Sequence, residues 1–325
     1  MSFQFRKLFP KSPRTPQQVR WWATEVPDWA VPMKTVEDFQ LFMDGVEAYF
    51  ARRNIPVTIN IEGTVTPHDG VMTYGLSNLV QTCAQYNMRD ADILRARIAE
   101  HFDTMLRTSD FDGKRRKQLE DWEFAMPRLR VRLWDMDTGP FLKSAVTSED
   151  IPGLATTLSV DFPESVDSVS QEAAKKWRCG ETELLRIALG NTLRSFSAEA
   201  KQIDAERFGP MQVVEAESFY SSAAALDIER YPDLLGPRGA FITIPTRPQV
   251  FALPVETAGD MRFVSELVRF TRWCFEMGPG SVSQRLWWYR EGKWLAVAYD
   301  ADGPNITIKP PEELQSYLEE MGLWE

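Results

Sequence analysis

Apolar positions along this chain recur with two periods, and each change of period marks a new element. Val36, Phe39, Phe42, Met43, Val46, Tyr49 and Phe50 return at helical spacing behind Thr35, which with Asp38 three residues on resembles a capping box. That predicts an amphipathic helix ending near Arg53, ahead of Asn54 and Pro56. Val57-Thr58-Ile59-Asn60-Ile61 alternates as a half-buried strand does, and Pro67-His68-Asp69-Gly70 is a turn into a second strand at 71–74. Helices are predicted over 77–87, with Ser77 as cap, and over 90–106, with Asp90 as cap. The charged stretch 107–127 reads as a connecting helix. Arg128, Arg130 and Arg132 then alternate with Leu129, Val131 and Leu133, a period-two strand that Asp135-Met136-Asp137-Thr138-Gly139-Pro140 breaks.

A comparable series follows: a strand at 155–160, a turn at 161–164, a helix at 170–178 capped by Ser170, and a helix at 181–196. A short strand is predicted at 212–216, and a hairpin at 241–253 around Pro245-Thr246-Arg247-Pro248. Residues 257–277 form a strongly amphipathic helix, and 284–299 a hairpin about Glu291-Gly292. A strand at 305–309 precedes a last helix that Pro310 and Pro311 open and Met321 closes.

The two series resemble each other. Tyr86 to Arg95 aligns without a gap to Trp177 to Arg186, about ninety residues on, and the match continues at Ile98/Leu189, Phe102/Leu193 and Met105/Phe196. The expected class is therefore α+β: two related strand/helix-pair units from an internal duplication, with additional β-hairpins and a C-terminal helix. The expected divisions are a basic, Pro-rich N-terminal arm at 1–33, a first unit at 34–145 and a second at 150–325.

Composition narrows the function without naming it. Of 325 residues, 43% are hydrophobic and 26% charged, as in an ordinary globular protein. No apolar run is long enough to span a membrane, and no secretory segment is read at the start. Cys83, Cys179 and Cys274 each sit in an apolar helical pattern, which reads as unpaired thiols in a reducing cytoplasm. A net charge of −10 argues against nucleic acid and leaves room for a protein partner. Residues 1–20 carry five basic residues and no acid, so they could touch a membrane surface, although a mobile terminus explains them as well.

Motif searches return little chemistry. His68 and His101 are the only histidines and no CxxC occurs, so neither a metal site nor a cofactor is predicted, and no catalytic residue is assigned. Gly75-Leu76-Ser77-Asn78-Leu79 misses the nucleophile elbow, because Leu79 replaces the glycine that lets it bend. Gly236-Pro237-Arg238-Gly239 is too short for a phosphate loop. Asp135 and Asp137, and likewise Asp161 and Glu164, read as turn carboxylates before they read as cation ligands. Arg128, Arg130 and Arg132 are the best candidates for gripping a carboxylate or phosphate. The competing reading pairs them with the protein's own acids, 47 against 37 bases. Trp287 and Trp288 are candidates for a partner surface, since adjacent strand residues point to opposite faces and one indole needs a cover.

Val160-Asp161-Phe162-Pro163-Glu164-Ser165-Val166, Glu172 to Trp177 and Glu183 to Leu193 resemble the YtpQ-like family of uncharacterised bacterial proteins. Tyr74 to Leu79, Leu234-Leu235 and Ile244 to Arg247 are similar to it as well. The resemblance would cover about 55–300 and implies a bacterial cytosolic protein, with no reaction and no site residue attached. The resulting expectation is a non-catalytic binding or interaction protein, an adaptor or an immunity-like protein. The alternative is an enzyme with a dispersed Arg/carboxylate site, such as a hydrolase of a phosphate- or carboxylate-bearing small molecule.

Overall fold

The computed structural model describes residues 21–68, 73–109, 117–138, 140–163, 165–302 and 305–323, so the basic arm at 1–20 lies outside the described residues. The chain divides into two compact units. One takes in the described residues before 110 together with Glu276–Pro279; the other takes in 117 to Phe275 and Gly280 onward.

In the first unit, helix α1 (Val36–Arg52) forms where the apolar spacing placed it, and its N-cap is made: the Asp38 amide donates to Thr35 Oγ1 at 3.1 Å. Strands β1 (Val57–Asn60), β2 (Thr64–Pro67) and β3 (Tyr74–Gly75) make an antiparallel meander, followed by α2 (Ser77–Ala84) and α3 (Ala91–Ser109). Asp90 caps α3 through the Ile93 amide at 3.2 Å. Ser77 caps nothing: it is exposed, Leu76 occupies the cap position of α2, and no side chain satisfies the first turn there. Phe39, Phe42, Phe50 and Phe102 meet in the core of this unit. Beside it, Tyr49 and Arg53 both donate to the Asp103 carboxylate.

The second unit holds two antiparallel sheets. In the smaller, β6 (Leu154–Phe162) pairs along one side with β4 (Leu129–Asp135), and along the other with β5 (Thr147–Ile151) and β7 (Ser165–Ser168). The expected division at 145–150 therefore runs through a sheet, because β4 pairs with β6 at every position from Leu129↔Val160 to Asp135↔Leu154. Helix α4 (Glu181–Arg194) lies along this sheet. Thr192 Oγ1 accepts the edge amide of Val131 at 2.9 Å, and Ser170 caps the short helix before α4 through the Ala173 amide.

The larger sheet takes β8 (Ala200–Gln202), β9 (Gln212–Glu215), β10 (Ala240–Thr246), β11 (Gln249–Pro254), β12 (Leu286–Arg290), β13 (Lys293–Asp302) and β14 (Asn305–Lys309). Their spatial order is β14-β13-β12-β10-β11-β9-β8. Both predicted hairpins form. Glu291 and Gly292 each take positive φ, as a two-residue loop matched to strand twist requires. Helices α5 (Val264–Met277) and α6 (Glu312–Glu320) pack on one face with Phe241, Leu253 and Trp288. Pro311 stands at the cap of α6 rather than inside its first turn. The other face, with Ile242, Ile244 and Trp287, is covered by the 3-10 run Ser221–Arg230 and by Leu133, Ile151 and Leu154 of the smaller sheet.

Two expectations change here. Because the large sheet is covered on both faces, Trp287 and Trp288 are both buried and neither indole needs a partner. Trp287 Nε1 donates to the Pro152 carbonyl at 2.8 Å, and Trp288 packs on Phe241. Gly239, at φ +111°, lies where a Cβ would stand 2.3 Å from the Trp288 ring, so this glycine makes room for an indole. The mixed α+β class holds, but the internal duplication does not emerge. The strands before α3 form a three-stranded meander, whereas those before α4 belong to a four-stranded sheet. The buried positions also differ from the sequence match by one residue: α3 buries Leu94, Ile98 and Phe102, and α4 buries Leu184, Ala188 and Thr192.

Candidate functional site

The alternation through β4 continues one step past the arginines. Arg130, Arg132 and Trp134 share one face of the strand, because side chains two apart point the same way, ~6–7 Å along it. Opposite them in register lie Ser159, Thr157 and Ala155 of β6. Arg128 leaves the row. It ends the 3-10 turn Met126–Arg128, with its guanidinium 4.0 Å from the Phe124 ring centre and donating to the Phe124 carbonyl.

Arg130 follows the reading in which arginines pair within the protein. It donates to the Pro127 and Leu129 carbonyls at 2.9 Å, and its Nε lies 3.8 Å from the Asp161 carboxylate. Arg132 does not follow it. Among the described residues its guanidinium has no hydrogen-bond or ion-pair partner, and it sits 4.6 Å from the Trp134 ring centre. The turn between β10 and β11 brings a second guanidinium to the same ring, that of Arg247 at 5.1 Å, also without an acid partner among the described residues. The Arg247 backbone is held at both ends: its amide donates to the Gly280 carbonyl at 2.9 Å and its carbonyl accepts the Ser222 amide at 2.8 Å.

Burial, followed by the charge of Arg247, pushes the Arg132 guanidinium down to about 9, and burial likewise lowers Arg247. At about 9, Arg132 remains cationic at neutral pH. Tyr220, just before the 3-10 run, completes the cluster. Burial and then the nearby Asp161 raise its phenol, while Arg132 and Arg130 oppose that shift, so the hydroxyl keeps its proton.

The polar groups around these charges are unusually unsatisfied. Among the described residues of the second unit, six buried side-chain polar atoms lack a close hydrogen-bond partner, and four belong to this cluster: Arg130 Nε and Tyr220 OH, which both have the Asp161 carboxylate beside them, and Trp134 Nε1 and Ser159 Oγ, which have no such neighbour. Each can donate a proton to an acceptor. Thr157 differs, because its hydroxyl is spent on the Arg132 carbonyl at 3.2 Å. Two cations without an acid partner among the described residues, set beside orphaned donors, form a positively charged cluster that an anion would complement.

The remaining candidates have structural uses. Asp135 accepts Arg285 Nε at 2.9 Å, Arg285 Nη2 at 3.1 Å and Ser283 Oγ at 2.6 Å, and Asp137 takes the same guanidinium at 2.7 Å. These carboxylates hold an arginine where a cation could have been imagined. Cys83 and Cys274 are buried and Cys179 is half-buried, all unpaired, and burial pushes the thiols of Cys83 and Cys274 up to about 12. Among the described residues no group of three or more His, Cys, Asp or Glu is placed to hold a metal ion, and no helix is long and apolar enough to cross a membrane.

Arg247, Tyr220, Trp134 and Ser159 were not singled out from the sequence. Only Trp134 carried a local signal there, as the next member of the period-two row. Comparison of the chain with protein-family models, curated proteins and solved structures gives no match.

Proposed function

We propose that this protein recognises, without transforming it, a ligand that presents an anionic group to the Arg132–Trp134–Arg247 cluster. One observation carries the reading: two like-charged, largely buried guanidiniums converge on one ring, and no acid among the described residues pairs with either. An uncompensated buried charge is costly, and an incoming anion removes that cost. Recognition is favoured over catalysis by the groups at hand. The second unit contains no histidine, and Asp161, the carboxylate placed at the cluster, faces Arg130. An enzyme of phosphate or carboxylate esters would draw on the same arginines and needs a poised base besides. A protein partner could present the anion as well as a small molecule could, in a bacterial cytoplasm as elsewhere. The aromatic hairpin gives that version no support, since Trp287 and Trp288 are buried.

Titration calorimetry with inorganic phosphate tests the reading. Saturable binding is expected for the native protein, a loss of at least tenfold in affinity for Arg132→Gln and for Arg247→Gln, and none for Arg186→Gln on the exposed face of α4. Release of phosphate from phenyl phosphate by the native protein, abolished in Arg132→Gln, would replace recognition by hydrolysis.

A further inference from the structure

Resting on the anion-binding reading, we infer that the group received between Arg132 and Arg247 is a phosphoryl dianion, the terminal phosphate of a monoester, rather than a carboxylate or another monoanion. The argument is one of charge and donor count. Arg130 faces Asp161, which leaves Arg132 and Arg247 without a compensating acid among the described residues, two positive charges around one indole. A carboxylate brings one negative charge and two oxygens, so one guanidinium stays uncompensated in a poorly solvated place. A phosphate monoester above its second ionisation brings close to two charges on three acceptor oxygens.

The donors match that larger demand. Each guanidinium offers a planar fork of N–H groups, and the orphaned Ser159 hydroxyl and Trp134 indole N–H add two single donors. The Tyr220 phenol stays protonated beside Asp161 and so does not repel the incoming oxygens. The positions are also fixed in advance. Arg132, Trp134 and Ser159 stand on paired strands of one sheet, and the Arg247 backbone is tied at both its amide and its carbonyl. Little ordering is left to be done on binding.

Three probes that share an aromatic ring separate charge from shape: benzoate, benzenesulfonate and phenyl phosphate. Benzenesulfonate has three oxygens and one charge, so it tests donor count alone. At pH 7.5 phenyl phosphate is expected to bind the full-length protein at least tenfold more tightly than either monoanion. Its advantage should shrink toward that of benzenesulfonate as the pH falls to 5, because a monoester loses its second charge near pH 6. Arg132→Lys, which keeps the charge and loses the fork, is expected to retain part of the preference, and Arg132→Gln to lose it. Equal affinity for all three probes across this pH range would overturn the dianion while leaving anion recognition standing. If none binds, or if binding is unchanged in Arg132→Gln and Arg247→Gln, both readings fail together. Because removing an unpaired buried cation relieves repulsion, these variants are expected to fold, and circular dichroism checks it.

Discussion

Arg132 departs from a general habit of folded proteins. Buried charges are usually paired, and the cost of leaving one unpaired is carried by the native state. Here Arg247 adds its repulsion to the cost of burial. Replacing Arg132 with Met, which keeps the long apolar stem over Trp134, is therefore expected to raise stability by about 1 kcal/mol, a Tm gain of roughly 2–4 °C for a unit of this size. Differential scanning calorimetry without added anions would show it, and a lower Tm would mean that the guanidinium is satisfied in the folded protein after all. Asp135 illustrates the opposite condition. Burial works to raise its pKa, but hydrogen bonds from Arg285, Ser283 and the Asp137 amide outweigh burial and hold the carboxyl below its usual value. A depressed folded pKa means that this stabilisation is complete above the unfolded pKa, near 4, and is lost as the pH falls through the folded value. Asp135→Asn should cost about 1–2 kcal/mol at pH 7, toward the lower end because Arg285 is partly exposed. In urea titrations at a series of pH values, the gap between variant and native protein should close below pH 4. A gap independent of pH would show that packing, not charge, is what the substitution disturbs.

At the scale of elements, helix starts provide a direct comparison among hydroxyl residues that look alike in the sequence. Thr35 and Ser170 accept amides of their own first turns, and Ser77 does not. Thr35→Ala and Ser170→Ala are each expected to cost about 1 kcal/mol, whereas Ser77→Ala should stay within about 0.3 kcal/mol. Urea midpoints of the three variants would check this, and a full cap-sized loss at Ser77 would contradict the placing of Leu76 at the cap position. Ser77 was misassigned because a Ser before an apolar run is consistent with either the cap or the first helical position, and only backbone angles separate the two. Helix α1, the hairpin at Glu291-Gly292 and the strand carrying the arginines were legible for a local reason: periodicity and turn chemistry act within a few residues. The apparent repeat was less secure because identity of letters is weaker than identity of buried face. A shift of one residue between Leu94/Leu185 in sequence and Leu94/Leu184 in burial turns matching residues into differently oriented ones.

At the scale of the molecule, what the sequence conceals is what the chain brings together from afar. Arg130 and Arg132 were visible as a row, but Arg247 and Tyr220 arrive from beyond residue 200 through sheet and turn geometry that no local pattern encodes. Long-range pairing also settles where the chain can be divided. A cut at 146 keeps β4 with the N-terminal piece and leaves β6 in the other, which strips Leu129, Val131 and Leu133 of the strand they pair with. A cut at 110 leaves each core with nearly all its own residues; the first unit loses only Glu276–Pro279, whose carbonyls accept the Gln81 and Gln85 amides. Fragment 1–110 should therefore unfold cooperatively, though at lower temperature than the unit does in the intact chain. Fragment 1–146 should gain no structure from its added residues and should associate through an unpaired apolar strand edge. The anion site gives these cuts a functional readout. Fragment 111–325 retains Arg132, Trp134, Tyr220 and Arg247 and should bind phosphate as the whole chain does, while 147–325 lacks two of the four and should not. Phosphate binding by 147–325 alone would place the receptor elsewhere, and an unfolded 111–325 would show that the second unit depends on the first for its stability.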